Sequence, residues 1–204
     1  MTQPSTVGTD SVLPRMPLLT ALEVLRDVRR DEIVVTTMGS AREWPKLSQH
    51  PLDFQFLPSA MGHSPMLGLG LALAQPQREV IAFNGDGGML MGLSSLVSIV
   101  ASGAKNLTVI VLDNGLYEVT GGQATAGVAA RCDFTGMAVA AGFPSVSRYD
   151  GLDVWRAAAG KLLQQPGPRF VQLRIAPVGA EYHLPAPTPI VDRIAKFRAA
   201  LGVK

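Results

Sequence analysis

The sequence holds a single cysteine, Cys132, among 204 residues. One thiol forms no internal disulfide and builds no cysteine-ligated zinc site or iron–sulfur cluster within the chain, so Cys132 is expected to be a buried or incidental side chain. Charge is also sparse: 17% of residues carry it, the formal net charge is +2, and no basic run or aromatic-interleaved stripe is present. That excludes a nucleic-acid surface. No apolar run is long enough to span a membrane. Met1 to Pro17, rich in Thr, Ser and Pro, lacks the apolar centre of a signal peptide and reads as a disordered or partner-contacting arm. Gly68-Leu69-Gly70 has no third glycine, since Leu73 stands there, and it lies within a helical pattern, so a dinucleotide fingerprint is excluded. No internal repeat is evident. These absences predict a cytoplasmic protein with neither membrane nor nucleic acid as a partner.

What remains is a chain 47% hydrophobic with 21 glycines, large enough for one full core over residues 18–204. Thr20, with Glu23 three residues on, predicts a capped helix through Arg29. Strands are expected over Asp31–Thr37, Asp53–Leu57, Val80–Phe83, Leu107–Leu112, Ser145–Arg148 and Phe170–Ile175. Helices are expected over Met66–Ala74, Met89–Ala101, Phe134–Ala141, Leu152–Leu163 and Val191–Leu201, and a helical turn at Arg42–Trp44 broken by Pro45. Strands alternating with helices predict an α/β fold of three layers, α/β/α, with a mostly parallel sheet.

The chain is organised around Val80 to Gln123. The first strand of this stretch stops at Asn84-Gly85-Asp86-Gly87-Gly88, where glycines permit a sharp turn and close backbone approach. The next strand ends before Asn114. Asp86 and Asn114 therefore sit at the carboxyl ends of two strands joined by one crossover, where open α/β sheets bind ligands. One carboxylate and one amide oxygen make a half-site for Mg²⁺, which takes its remaining oxygens from water and phosphates. The helix following the glycines favours an anion at the same mouth. A metal-bridged diphosphate is the combined expectation. The exit of the first strand, Thr37-Met38-Gly39-Ser40, is polar enough to face the ligand too.

Gly85-Asp86-Gly87, followed after positions 88 to 113 by Asn114, resembles the signature of the thiamine diphosphate-dependent enzymes. The resemblance implies the thiamine diphosphate-binding fold. It implies Mg²⁺ held by Asp86, Asn114 and the backbone carbonyl of Leu116, and cofactor contacts from Gly39, Ser40, Gly85, Gly87, Gly88 and Tyr117. Asp113 stands where the family has a second Asn. Ser59-Ala60-Met61-Gly62 resembles the Gly-Ser-Met-Gly segment of the family's sulfopyruvate and phosphonopyruvate decarboxylases. There the first carbonyl accepts from the cofactor's amino group and the bulky apolar residue wedges beneath its rings; those roles would fall on Ser59 and Met61, with Gly62 beside them. Ordinary core packing is the alternative for Met61 when that residue is taken alone. Tyr117 to Gln123 resembles the same subfamily's loop after the metal asparagine, with Val119 in place of a common Ser. Glu118, which adds a negative charge there, is expected to be solvated.

His63 adjoins the Ser59–Gly62 segment, and is expected either to contact substrate or diphosphate as an acid–base group or to make a structural hydrogen bond. His183 and His50 carry no such expectation. Arg42 and Arg131 are suited to an anionic substrate but read more readily as surface charges. In the family, the glutamate that activates the cofactor lies on a separate pyrimidine-binding domain, and all of this chain is assigned to the diphosphate-binding domain with its carboxyl-terminal helix. The resemblance thus implies a partner subunit carrying that catalytic Glu, a small 2-oxo acid as substrate, and decarboxylation. A carboligase, a 2-oxo acid oxidoreductase subunit and a non-catalytic regulatory subunit stand as alternatives.

Overall fold

The computed structural model describes residues 15–178 and 188–202. Helix α1 (Leu18–Val28) leads into β1 (Ile33–Thr36), α2 (Met38–Leu47) into β2 (Asp53–Gln55), and α3 (Ser64–Ala74) into β3 (Val80–Gly85). After α4 (Asp86–Met91) and α5 (Ser95–Ala101) comes β4 (Leu107–Asp113). A small antiparallel ribbon follows, β5 (Leu116–Tyr117) with β6 (Gln123–Ala124), enclosing a single 3-10 turn at Glu118–Thr120. Then come α6 (Ala126–Ala129), α7 (Phe134–Ala141), β7 (Ser145–Tyr149), α8 (Leu152–Leu162), β8 (Arg169–Arg174) and α9 (Ile190–Ala200).

Six strands pair in parallel in the order β2-β1-β3-β4-β8-β7, the α/β architecture expected. Alternate residues of each strand face opposite layers. Val34, Ile81, Phe83, Ile110 and Val171 pack with Leu22, Trp44 and Trp155 of α1, α2 and α8. Ile33, Val35, Ala82, Val109 and Phe170 pack with Leu69, Met89, Ile99 and Phe197 of α3, α4, α5 and α9. Both faces are covered, which is why the strands read as continuous apolar runs. Each large side chain so buried contributes on the order of 1.5–3 kcal/mol. The edge strand β2 is sheltered by α9: the Phe54 and Phe197 rings lie 4.9 Å apart, and Arg193 donates to the carbonyls of Gln55 and Leu57.

The crossovers from β1 and β3 leave on opposite faces, α2 on one and α4–α5 on the other. The order reverses between these two neighbouring strands, and a crevice opens at their carboxyl ends.

Four local expectations are corrected. Helix α1 starts at Leu18 after Pro17, with no side-chain cap, so Thr20 and Glu23 form no capping box. The entry is set instead by Met16, which is buried, bridged to Ile175, and donates its own N–H to the Arg174 carbonyl at 3.1 Å. Residues 15–17, placed at the end of the arm by the sequence reading, are thus joined to the sheet; residues 1–14 lie outside the described residues. The expected helix Met89–Ala101 is two, α4 beginning at Asp86 and α5 at Ser95. Lastly, Pro45 does not break α2, which runs through it to Leu47. Proline lacks the N–H that would pair with the Ala41 carbonyl, and the Gln55 side-chain amide donates to that carbonyl instead at 2.8 Å. Gln55→Ala is therefore expected to cost about 1 kcal/mol by leaving this acceptor unpaired, read as a lowered urea midpoint with unchanged slope.

Candidate functional site

Four loops at the carboxyl end of the sheet border an open cleft. Thr37–Ser40 arrive from β1, Met61 and Gly62 from the segment before α3, Asn84–Gly88 from β3, and Asn114 with Leu116–Thr120 from β4. The β3–β4 register pairs Gly85 with Leu112, so Asp86 and Asn114 follow directly from neighbouring strand ends. Both residues line the same cleft.

Asp86 is the first residue of α4 and only 2% exposed. Its Oδ2 accepts from the Thr125 hydroxyl at 2.8 Å, and no cation pairs with it among the described residues. Burial holds its pKa above the ordinary carboxylate value, and the charge of Asp113 pushes the same way, against the Thr125 hydrogen bond. A buried acid without a counterion gains most from a hard cation placed beside it.

Asn114 is 9% exposed. Its Oδ1 accepts the Leu116 N–H at 2.8 Å, and its Nδ2 donates to Glu118 Oε2 at 2.7 Å. An amide oxygen carries two lone pairs, so one remains for a further donor or a metal. The Arg15 guanidinium donates to the Asn114 carbonyl at 2.5 Å. Asp113 turns elsewhere, accepting from Gln172 at 2.7 Å.

The glycines of the turn have two distinct duties. A Cβ on Gly87 would lie 2.2 Å from the Tyr117 ring, and one on Gly88 would lie 2.5 Å from Asn84 Oδ1. These two are demanded by packing. A Cβ on Gly85 would meet nothing within 4 Å, so that residue borders free space in the cleft. This is the open floor that a phosphate group needs to approach the backbone.

Met61 is 42% exposed at the rim, which settles against core packing for it. Met38 takes a φ of 48°, a left-handed conformation that a side chain adopts only at a cost, and it too borders the cleft. The Ser40 hydroxyl is held within the helix cap, accepting from the Thr37 N–H at 3.0 Å and donating to its carbonyl at 2.7 Å.

Several expected residues stand elsewhere. Ser59 lies outside the cleft lining, its hydroxyl accepting from the Thr37 hydroxyl at 3.0 Å. His63 is exposed and also outside that lining, its Nδ1 lying 3.1 Å from the Met61 carbonyl. Of its two expected roles, the described chain supplies the local hydrogen bond. Arg42 pairs with Glu43, and Arg131 is exposed. His183 lies outside the described residues.

Sequence reasoning missed three contributors. Thr125 reaches Asp86 across 39 positions, and nothing in its neighbourhood signals that contact. Asn84 is 2% exposed with its Oδ1 accepting the Gly85 N–H at 3.1 Å, and the sequence alone marks it only as part of the turn. Glu118 is not the solvated charge expected: it binds Asn114 and also the Val178 N–H. Its spacing of four from Asn114 was the available signal. No lysine, arginine or histidine lines the cleft among the described residues.

Residues 36–173 match the thiamine pyrophosphate enzyme C-terminal TPP binding domain. The chain is 39% identical over 161 residues to phosphonopyruvate decarboxylase of Streptomyces viridochromogenes, covering 78% of this chain and 40% of that protein. It is 34% identical over 173 residues to the sulfopyruvate decarboxylase subunit beta of Methanothermobacter thermautotrophicus, covering 84% of this chain and 85% of that subunit. The chain thus spans less than half the length of the first relative and most of the second. A solved structure from Mycobacterium smegmatis, described as a candidate thiamin diphosphate-dependent enzyme, matches the fold with a TM-score of 0.66 at 22% identity, over 79% of this chain and 32% of that one. No helix among the described residues is long and apolar enough to cross a membrane.

Proposed function

This chain belongs to the thiamine pyrophosphate enzyme family, as its C-terminal cofactor-binding domain, and from that premise we propose that it is the diphosphate- and magnesium-binding subunit of a 2-oxo acid decarboxylase. The observation that carries the reading is Asp86: a carboxylate 2% exposed, without a counterion among the described residues, sharing one cleft with Asn114.

The donor set suits the group. Asp86, the Asn114 amide oxygen and the Leu116 carbonyl would supply protein oxygens to Mg²⁺, and the open floor at Gly85 would admit the diphosphate. When bound, thiamine diphosphate supplies the electron sink that lets a 2-oxo acid lose CO₂. The chain's own residues hold, orient and enclose. Met61 stands at the rim where it would support the cofactor's rings, and Leu116 to Thr120 form the wall across the cleft.

A pyrimidine-binding partner subunit would complete the site and bring the activating glutamate. Three observations support a partner. The subunit beta relative is matched over 85% of its length. The cleft's own side chains include exposed apolar ones, with Met61 at 42%, Met91 at 49% and Val119 at 42%, which burial against a second subunit would remove from water. The absence of a cation among the described cleft residues also leaves the charge of an anionic substrate to be met from the other side. The names of the relatives point to sulfopyruvate or phosphonopyruvate as the first substrates to try.

The test is to co-express the chain with its pyrimidine-domain partner and follow CO₂ release from sulfopyruvate, phosphonopyruvate and pyruvate with thiamine diphosphate and Mg²⁺. Cofactor-dependent CO₂ release with formation of the matching aldehyde is expected. A complex that binds the cofactor yet releases CO₂ from none of the three sinks the decarboxylase reading.

A further inference from the structure

We propose that Glu118 is a positioning residue that sets which end of the Asn114 carboxamide faces the metal. The inference rests on the reading of Asp86 and Asn114 as metal ligands and deepens it.

The two ends of an asparagine side chain are nearly equal in size and opposite in chemistry. Turned by half a rotation, the group presents two N–H donors where a cation needs an oxygen. Here each end has its own partner: Oδ1 accepts the Leu116 N–H at 2.8 Å and Nδ2 donates to Glu118 Oε2 at 2.7 Å. The Glu118 contact rejects the reversed state, because it would set amide oxygen against carboxylate oxygen, acceptor against acceptor. An ionised acceptor enforces this more strongly than a neutral one.

Glu118 is itself held. Its Oε1 accepts the Val178 N–H at 2.5 Å, from the segment that follows β8. The carboxylate begins the 3-10 turn of the β5–β6 ribbon and borders the cleft. From the other direction, Arg15 fixes the Asn114 backbone through its carbonyl. The metal loop is thereby gripped by two segments remote in sequence, one before α1 and one after β8. Indirect contacts of this kind tune a metal site through the ligand they orient.

The experiment uses the full complex with its partner and reads Mg²⁺ affinity, by cofactor retention in equilibrium dialysis and by Mn²⁺ substitution followed by electron paramagnetic resonance. Glu118→Ala is expected to weaken metal affinity by about 10- to 100-fold. Glu118→Gln keeps one oxygen to accept from Asn114 Nδ2 but sets its amide nitrogen against the Val178 N–H, so it is expected to lose less than the alanine variant without matching wild type. The decisive comparison is made in an Asn114→Asp background. A carboxylate has no wrong end, so removing Glu118 there no longer weakens the metal, whereas a purely structural role predicts the same loss in both backgrounds. Wild-type affinity in Glu118→Ala, equal losses for Ala and Gln, or an undiminished loss in the Asn114→Asp background each overturns the proposal. A wild-type complex that binds neither ion nor cofactor overturns the parent reading and this one together, which keeps the two failures apart.

Discussion

Asp86→Asn is expected to lose at least about 100-fold in affinity for the magnesium–cofactor pair, with activity falling in step, since a neutral amide replaces the carboxylate and removes the ligand charge that a hard cation needs. It is also expected to raise the thermal midpoint of the cofactor-free chain at neutral pH. Burial lifts the folded-state pKa of Asp86 above its ordinary value of 3.8. The folded protein therefore keeps a proton that the unfolded chain has already released. Stability associated with this group is complete below the unfolded value and is lost as pH rises through the folded one. Above the folded value the wild type bears the cost of an ionised, buried carboxylate; the asparagine variant bears none. Melting curves with and without cofactor should cross over: the variant melts higher without cofactor and fails to gain when Mg²⁺ and thiamine diphosphate are added. The advantage should vanish in acid, once both states of the wild type are protonated. A variant that keeps wild-type cofactor affinity would remove the central support for the site.

Gly62→Ala should strike the scaffold rather than the chemistry. Gly62 has a φ of +85°, and a Cβ there would lie 2.7 Å from the Gly88 carbonyl oxygen and 2.9 Å from the Gly92 nitrogen. Both are backbone atoms, which cannot swing aside as a side chain would. A left-handed alanine costs roughly 1–2 kcal/mol and overpacking typically 1–3 more, so a loss of about 2–5 kcal/mol is expected. Gly85→Ala is the control. Its Cβ would meet nothing within 4 Å, so stability should stay within about 0.5 kcal/mol by chemical denaturation. If the two variants unfold alike, the glycines bordering the cleft are not divided between packing and open space as the contacts describe.

The break between α4 and α5 follows from the same packing. A Cβ on Gly92 would lie 2.3 Å from the Gly62 carbonyl, so the residue ending α4 is also where a distant loop presses on the helix. Apolar periodicity runs through this point without interruption, and it predicts one helix because the intruding backbone lies 30 positions away. Pro45 errs in the opposite sense. Local chemistry predicts a break, and Gln55, ten residues on at the end of β2, removes its cause by donating to the freed carbonyl.

Legible in the chain alone were the elements whose causes are local. Apolar runs specify buried parallel strands, a glycine-rich turn follows β3, and Asp86 and Asn114 keep the spacing of one strand–helix–strand unit, so both had to emerge at the same end of the sheet. Tertiary structure alone decided how those two side chains are held. Thr125 bonds Asp86, Arg15 fixes the Asn114 backbone, and Val178 secures the carboxylate that orients the Asn114 amide. The physical reason is one of range. Backbone preference and side-chain periodicity act within a few residues, whereas a buried polar atom takes whichever partner the packed chain brings within about 3 Å, from any distance in sequence.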